Sequence, residues 1–227
     1  MAEDNILSDL FGESDSRKNV TIFLTFLVVI IIYHATVFWV VLQDEIRTKF
    51  DVDSFTIEFE ETSIFSEESR IINNDEIATI EFIAPNDMFD SHSGFGMLFV
   101  NVSYTETSGE AFDPCDTVSA DLKPTGATAD WSHGDNELSG MSSDCETISL
   151  MLYVFPGYDG NTVNVSGNNQ QYWIDEWKDS THGQGTFNLE VEVDVNGPPT
   201  SIAPTISDNN EEVTVTWEAV FFDTIVN

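Results

Sequence analysis

Residues 186–195 read TFNLEVEVDV, and this stretch decides the class of fold. Every second residue is apolar from Phe187 to Val195, and the residues between them are Asn, Glu, Glu and Asp. Successive side chains of a β-strand point to opposite faces of the sheet, whereas a helix would repeat its apolar residues every three or four positions. The stretch therefore predicts a strand with one buried face and one wet face.

The same period recurs along the chain. Residues 55–60 (FTIEFE) and 213–222 (VTVTWEAVFF) alternate in the same way. Two further runs, residues 96–106 (GMLFVNVSYTE) and 148–157 (ISLMLYVFPG), are partly apolar on both faces, which predicts central strands. Clusters of Gly, Asn, Asp and Pro separate the remaining candidate strands, which are residues 76–84, 116–122, 127–132 and 161–166.

Eight or nine strands without a long helical pattern predict an all-β domain over residues 55–227. We expect an antiparallel β-sandwich in the style of an immunoglobulin domain or a jelly roll. Residues 170–179 (QQYWIDEWKD) are the one predicted helical turn. Residues 196–205 (NGPPTSIAPT) resemble a linker, but the 22 residues after them are too few for a core of their own, so we assign them to the same sandwich.

Residues 20–43 (VTIFLTFLVVIIIYHATVFWVVLQ) contain no charged residue. The run from Val20 to Leu42 would be about 34 Å long as a helix, enough for a hydrocarbon core of about 30 Å. It has no small-x-small cleavage site, which predicts an uncleaved single-pass transmembrane helix. Residues 1–19 are then a disordered tail or a short amphipathic docking helix, and residues 44–54 a juxtamembrane linker.

The basic residues flanking this run do not decide its orientation, because Arg17 and Lys18 on one side are matched by Arg47 and Lys49 on the other. Beyond the run lie the only two cysteines, which predict one disulfide and an oxidising compartment, and two Asn-x-Ser sequons that predict glycosylation. We therefore expect a cytoplasmic N-terminus and an extracellular β domain. The residues concerned are Cys115, Cys145, Asn101 and Asn164.

The chain is strongly acidic, with 41 Asp and Glu against 7 Lys and Arg and a formal charge of −34. Phosphates would be repelled, so nucleic acid is excluded as a partner. The acids are spread evenly, which favours a solvated surface adapted to salt, similar to the proteins of salt-loving or marine archaea.

No catalytic or cofactor motif is present, and we expect a protein that is not an enzyme. The four histidines lack metal-ligand spacing, and no nucleophile elbow or phosphate-binding glycine loop occurs. His34 lies within the apolar run without a second ionisable residue for a proton relay. Two oxygen-rich loops are weak Ca²⁺ candidates, for which solvated turns are the favoured interpretation; they contain Asp130, Asp135, Glu137 and Asp208.

One aromatic and acidic group has the composition of a sugar-stacking patch. The alternative is that its tryptophans, four residues apart, cover one end of the sandwich. Its residues are Tyr158, Asp159, Tyr172, Trp173 and Trp177.

The sequence thus favours a β-sandwich held at the cell surface by a helix in the lipid bilayer. It would act as a binding, adhesion or envelope module, in contact with an envelope protein or glycan. One alternative is a pilin-like subunit whose helix packs in a filament core, although Lys18-Asn19 replaces the basic residue and Gly or Ala that precede the apolar run of archaeal prepilins. Another is an exported glycan-binding or hydrolytic domain.

Overall fold

The computed structural model describes residues 14–41, 52–105, 115–196 and 209–227. The chain divides into two units, Met1–Asp53 and Ser54–Asn227, and each is described by itself. The predicted tail up to residue 13, most of the predicted linker 44–54 and nearly all of the linker-like segment 196–205 lie outside the described residues.

In the first unit, residues 14–41 form an apolar helix, α1 (Ser14–Thr36), which continues as a π-helical turn over Val37–Val41. The segment Arg17–Val40 is long and apolar enough to cross a membrane by length and composition, criteria that a signal sequence also meets. Three threonine hydroxyls, including those of Thr21 and Thr36, donate to the carbonyl four residues earlier at 2.8 Å. These hydroxyls therefore have hydrogen-bond acceptors within the helix, which polar groups need in an apolar medium that contains no water.

The described residues of the second unit form nine strands and two short helices. The helices are α2 (Asn86–Ser91), between the second and third strands, and α3 (Gln170–Glu176), at the predicted helical turn. The strands are β1 (Ser54–Asn73), β2 (Ile77–Phe82), β3 (Gly94–Thr105), β4 (Thr117–Lys123), β5 (Ser139–Ser142), β6 (Ile148–Tyr153), β7 (Val163–Ser166), β8 (Phe187–Asp194) and β9 (Asn210–Val226).

The strands form two antiparallel sheets, which confirms the predicted β-sandwich class. The five-stranded sheet has the order β6-β3-β9-β1-β7 and the four-stranded sheet the order β2-β8-β4-β5. If β7 is set aside, the remaining eight strands follow the strand order of a jelly roll built from two Greek keys. An immunoglobulin-like order, the other style that the sequence allowed, is not observed.

The longest pairing joins the first and last strands. β1 and β9 run antiparallel from Ile57 opposite Val226 to Asn73 opposite Asn210, without a bulge. Over the second half of this ribbon, the side chains of Val213, Val215 and Trp217 point into the space between the sheets and are fully buried. The inward side chains of this ribbon therefore form part of the core.

The core is filled by the inner faces of both sheets. Strand β8 buries four apolar side chains completely, as the alternation of its sequence predicts. They are Phe187, Leu189, Val191 and Val193. Aromatic rings join the sheets, because Phe82 of β2 stacks on Trp217 of β9 with ring centroids 5.4 Å apart. The two sheets are thus held by one continuous apolar layer.

A disulfide closes one end of the sandwich. Cys115 and Cys145 are joined as predicted, with their Cα atoms 5.5 Å apart. Beside the bond, the buried Tyr104 hydroxyl lies 2.9 Å from the Ser142 carbonyl oxygen and accepts the Cys145 N–H at 3.2 Å. The disulfide therefore ties the start of β4 to the segment between β5 and β6 at a point that β3 also supports.

Three strand predictions need correction. Residues 127–132 form a turn with a single bridge at Ala127. Thr128 exchanges backbone hydrogen bonds with Gly183 and Gln184, and the Asp130 N–H donates to the Tyr153 carbonyl oxygen at 3.2 Å. Because these bonds go to two different segments, no continuous strand pairing forms. β6 lies at a sheet edge rather than centrally, and its outer side is covered by a bridge from Glu137 to Met151. β1 extends to Asn73, since its second half pairs with β9 despite its polar composition.

Replacing both cysteines, Cys115 and Cys145, with Ser should lower the free energy of unfolding by about 3 to 4 kcal/mol. The disulfide closes a loop with a sequence separation of 30 residues, and removing it frees the unfolded chain. Denaturant unfolding of the full chain in detergent measures the loss. The exposed Met141→Ser on β5 is the matched control, expected within about 0.5 kcal/mol of the parent. Equal stability of parent and double variant would contradict the assignment.

Candidate functional site

A second apolar cluster, here called the outer cluster, covers part of the face of the five-stranded sheet that points away from the core. β9 contributes to both sides, since Phe221 lies in the core and Phe222 in the outer cluster. The segment between β6 and β8 folds back over the sheet to complete the cluster. Its members are Phe59, Met97, Phe155, Tyr158, Trp177 and Phe222.

Two glycines of β3 make room for this cluster. A Cβ atom at Gly96 would lie 2.3 Å from the ring of Tyr158, and one at Gly94 would lie 2.8 Å from the ring of Phe222. Because both positions lack a side chain, Tyr158 can stack on Phe222 with ring centroids 4.4 Å apart and planes 11° from parallel. The register shift between Phe95 and Met97 occurs at the same place.

Tyr158 carries the one polar anchor inside the outer cluster. Its side chain is 1% exposed, and its hydroxyl donates to Glu61 Oε1 at 2.6 Å. Burial, together with the hydrogen bond to the Glu61 carboxylate, raises the pKa of Tyr158 above its ordinary value. The tyrosine therefore stays neutral and holds the covering segment to β1.

The predicted sugar-stacking patch is divided by this arrangement. Tyr158 is buried, and Trp177 stacks on Phe155 at 5.6 Å and meets Phe59 edge-on at 4.8 Å, so both serve the outer cluster. Trp173 is half-buried on α3. The freely accessible members are Tyr172, which is 44% exposed, and Asp159, whose carboxylate accepts the Asn161 N–H at 2.9 Å. That hydrogen bond lowers the pKa of Asp159.

A Ser, a His and an Asp meet where β3 begins beside β9. His92 Nδ1 lies 2.7 Å from Asp223 Oδ2, and the Ser93 N–H donates to Asp223 Oδ1 at 3.0 Å. The Ser93 hydroxyl accepts the Thr224 N–H at 3.3 Å and lies 3.5 Å from the same aspartate. In a hydrolase triad the serine bonds to the histidine, whereas here it bonds to the aspartate and to backbone. The group clamps two strands together.

A neighbouring pair holds the end of the covering segment. The Asp179 N–H donates to the Ser93 carbonyl oxygen at 3.0 Å, and its carboxylate pairs with His182 Nδ1 and accepts the Thr181 N–H at 2.6 Å. Burial alone would raise the pKa of Asp179, but the hydrogen bonds from Thr181 and His182 outweigh it, so the pKa lies below its ordinary value. The ionised carboxylate thus stabilises the fold.

The Ca²⁺ candidates of the first loop do not converge. Asp130 accepts the hydroxyl of Ser132 at 3.1 Å through its carboxylate, and its carbonyl oxygen accepts the Asn136 side-chain amide at 2.8 Å. Among the described residues no group of three or more His, Cys, Asp or Glu is placed to hold a metal ion. Asp208 of the second loop lies outside the described residues, so that loop stays a prediction.

The two sequons occupy different environments. Asn101 lies on β3 between β6 and β9, is half-buried, and accepts the Ser149 hydroxyl at 2.7 Å. Asn164 is exposed on β7, at the edge of the sheet, and contacts the Thr56 hydroxyl at 3.2 Å. Asn164 is therefore the more accessible acceptor.

The outer face of the four-stranded sheet is acidic and contains one lysine. Lys123 Nζ lies 2.5 Å from Asp121 Oδ2 and 3.0 Å from Glu190 Oε2. These two carboxylates raise the pKa of Lys123, which remains charged and offsets part of their repulsion.

A groove opens between the edges of the two sheets, and we call it the β1–β2 groove. It encloses about 420 Å³. Phe65 on its β1 side and Ile83 on its β2 side are both largely exposed. Its lining residues are Ile64, Phe65, Ser66, Glu81, Phe82, Ile83, Pro85, Asp87 and Met88.

Sequence reasoning missed Glu61, Asp223 and the edge position of Phe65. Glu61 and Asp223 are two acids among 41, so composition does not distinguish them. The apolar pair Ile64-Phe65 within an otherwise polar stretch was the available signal for the groove.

No known protein family matches the chain, and no curated protein is similar to it. Several solved structures overlap with it at low similarity. Among them are the decameric BFDV capsid protein (TM-score 0.37, 9% identity, 73% of this chain and 99% of that chain), the nora virus structure (0.32, 8%, 72% and 60%) and black queen cell virus (0.34, 11%, 74% and 71%). These TM-scores are too low to indicate a shared fold or function.

Trp177→Ala should lower the free energy of unfolding by about 3 kcal/mol, because it removes a ring packed between Phe155 and Phe59. Tyr172→Ala is the matched control on the exposed side of α3, with an expected change within about 0.5 kcal/mol. Denaturant unfolding measures both. Equal losses would contradict the division of the aromatic residues into a buried and an exposed set.

Asp179→Asn should lower the melting temperature at neutral pH and lose that effect in acid. Because the folded-state pKa of Asp179 lies below its ordinary value, its stabilisation is full above the unfolded-state pKa of about 4. This stabilisation disappears as the pH falls through the folded-state pKa. The melting temperatures of the parent and the variant should therefore converge toward pH 2. The exposed Asp90→Asn is the control. A constant difference from pH 7 to pH 2 would contradict this role.

Proposed function

We propose that the chain is a single-pass membrane protein that displays the β-sandwich of Ser54–Asn227 outside the cell as a binding, adhesion or envelope module. The observation that carries the proposal is α1, because the apolar side chains from Ile22 to Tyr33 are all exposed. Water would penalise this surface by roughly 25 cal/mol for each Å², and a bilayer removes the penalty. The N-terminus would lie in the cytoplasm.

The disulfide supports the outward position of the sandwich. The chain has two cysteines, both in the second unit and joined to each other. Such bonds persist in oxidising compartments and are rare in a reducing cytosol. The exposed sequon at Asn164 fits the same side of the membrane.

The surface chemistry favours a module that acts through contacts. The Ser93, His92 and Asp223 group is bonded as a clamp, and the exposed face of the four-stranded sheet carries carboxylates around Lys123. A hydrated acidic surface of this kind suits a salty exterior, where screening over about 8 Å or less limits self-repulsion. Tyr172 remains accessible on α3 for contact with a glycan.

Protease treatment of intact cells tests the topology. A full chain with one epitope tag at each end should lose the C-terminal tag and retain the N-terminal tag, while lysed cells lose both. The matched control is a variant lacking residues 20–41, which should stay inside and keep both tags in intact cells. Protection of the C-terminal tag in the parent chain would overturn the proposal.

The intact mass of the purified chain separates the alternatives. The full mass supports an uncleaved anchor. Loss of the apolar run would indicate a signal sequence and a secreted sandwich, and loss of only the residues before Val20 would favour the pilin-like subunit. Either loss would overturn the proposed anchor.

A further inference from the structure

The second half of β1 is an open sheet edge. β7 pairs with β1 only from Ser54 to Ile57, whereas β9 accompanies it to Asn73. Among the described residues no strand lies on the other side of β1 beyond Ile57. An edge of this length presents a row of peptide groups that can pair with another strand.

The hydrogen-bond pattern shows which peptide groups are available. Thr56 exchanges both backbone hydrogen bonds with Asn227 at 2.9 Å, and the register of β1 on β9 continues without a bulge. Residues of an antiparallel strand alternate between the two sides, so even-numbered residues of β1 bond to β9. The N–H and C=O groups of the odd-numbered residues from Phe59 to Ile71 therefore point away from the sheet.

The same edge carries exposed apolar side chains. Phe65 is 68% exposed and Ile71 is 63% exposed, and both project from the face of β1 that points away from the core. Phe59 lies on this face as well, half-buried in the outer cluster. The edge thus combines free peptide groups with apolar surface over one segment.

We propose that this edge binds a second copy of the chain, with the two β1 strands antiparallel about a two-fold axis at Phe65. The two five-stranded sheets would become one continuous sheet. Phe65 faces Phe65 of the second copy, and Phe59 faces Ile71 of the second copy, which covers the exposed apolar residues. A symmetric dimer uses the same patch on both partners, as this pairing does.

Charge complementarity selects this register. Centred at Phe65, the pairing places Glu60 opposite Arg70, Glu61 opposite Ser69, and sets Thr62 and Ser63 opposite Glu68 and Glu67. No carboxylate faces another, and the two-fold axis repeats the Glu60–Arg70 contact. Opposite charges across strands are stabilising and like charges destabilising.

Neighbouring registers lack this complementarity. The centre can move only in whole residues along β1, because facing residues must share a side of the sheet. A two-fold axis at Ile64 would place Glu60 opposite Glu68 and Glu61 opposite Glu67. An axis at Ser63 would place Glu58 opposite Glu68. At Ser66 it places Phe65 against Glu67.

Arg70 is already held at this edge. Its guanidinium donates to Glu68 Oε1 and to the Thr79 carbonyl oxygen, each at 2.9 Å. A guanidinium has five N–H donors, so it can bond to Glu60 of the second copy without releasing these partners. The same contacts limit the side-chain entropy that dimerisation would cost.

Cysteine pairs test the register on the full chain in detergent micelles. In the proposed pairing Ser63 of one copy faces Glu67 of the other, at a Cα separation of about 5.5 Å that a disulfide can span. A mixture of Ser63→Cys and Glu67→Cys chains should therefore give a disulfide-linked dimer under mild oxidation. Each variant alone is the matched control, because its own cysteines lie about 14 Å apart across the axis. Cross-linking of either variant alone to the same extent as the mixture would overturn the register.

Light scattering in increasing salt tests the dimer itself. Each copy carries a formal charge of −34, so screening should raise the dimer fraction as salt increases, whereas a complex with a basic partner would weaken. A monomer at every salt concentration, or a dimer that salt dissociates, would overturn the proposal.

Two variants separate this interface from association through α1. Glu67→Pro removes an N–H that points away from β9, so the melting temperature should hold while the dimer is lost. If that variant unfolds, Arg70→Glu should weaken the dimer and adding Glu60→Lys should restore it. A dimer unaffected by Arg70→Glu would contradict the proposal. The inference does not rest on the anchor, since a secreted sandwich would present the same edge.

Discussion

The pairing of β1 with β9 is the constraint on which the rest of the molecule depends. It joins the two ends of the second unit along 17 residue pairs, from Ile57–Val226 to Asn73–Asn210. One side of this ribbon faces the four-stranded sheet and the core, and part of the other side is covered by the outer cluster. Because the partners are more than 130 residues apart in sequence, little of the sandwich can form before the last strand is present.

Much of the fold could be predicted from the sequence, because period-two alternation reports burial directly. It located β8 and β9 and placed their inward residues, such as Leu189 and Val215, correctly. The second half of β1 gave no such signal, since Thr62, Ser66 and Glu68 occupy positions on the core-facing side. Its pairing follows from β9 and from the connectivity, which local pattern does not contain.

The candidate site shows the same division. The two cysteines could be paired because the sequence has only two and both lie beyond the apolar run, and the structure confirms the bond. The aromatic patch could be predicted as a group but not divided, because Tyr158 and Tyr172 look alike in sequence. What distinguishes them is Gly96, which leaves room for one ring beneath the covering segment, and that is a contact between residues far apart in the chain.

The outer cluster also implies a hierarchy of opening. The segment from Val154 to His182 is held by the short pairing of β7 with β1, by side chains and by a few hydrogen bonds, while the β1–β9 ladder is much longer and independently paired. Such a layer can detach as one cooperative unit at a lower free energy than global unfolding, with slow amide exchange persisting in the ribbon below. Detachment would expose Phe222 and Phe59 next to the open edge of β1. Partial opening would therefore enlarge the exposed apolar surface beside that edge while the core between the sheets stays closed.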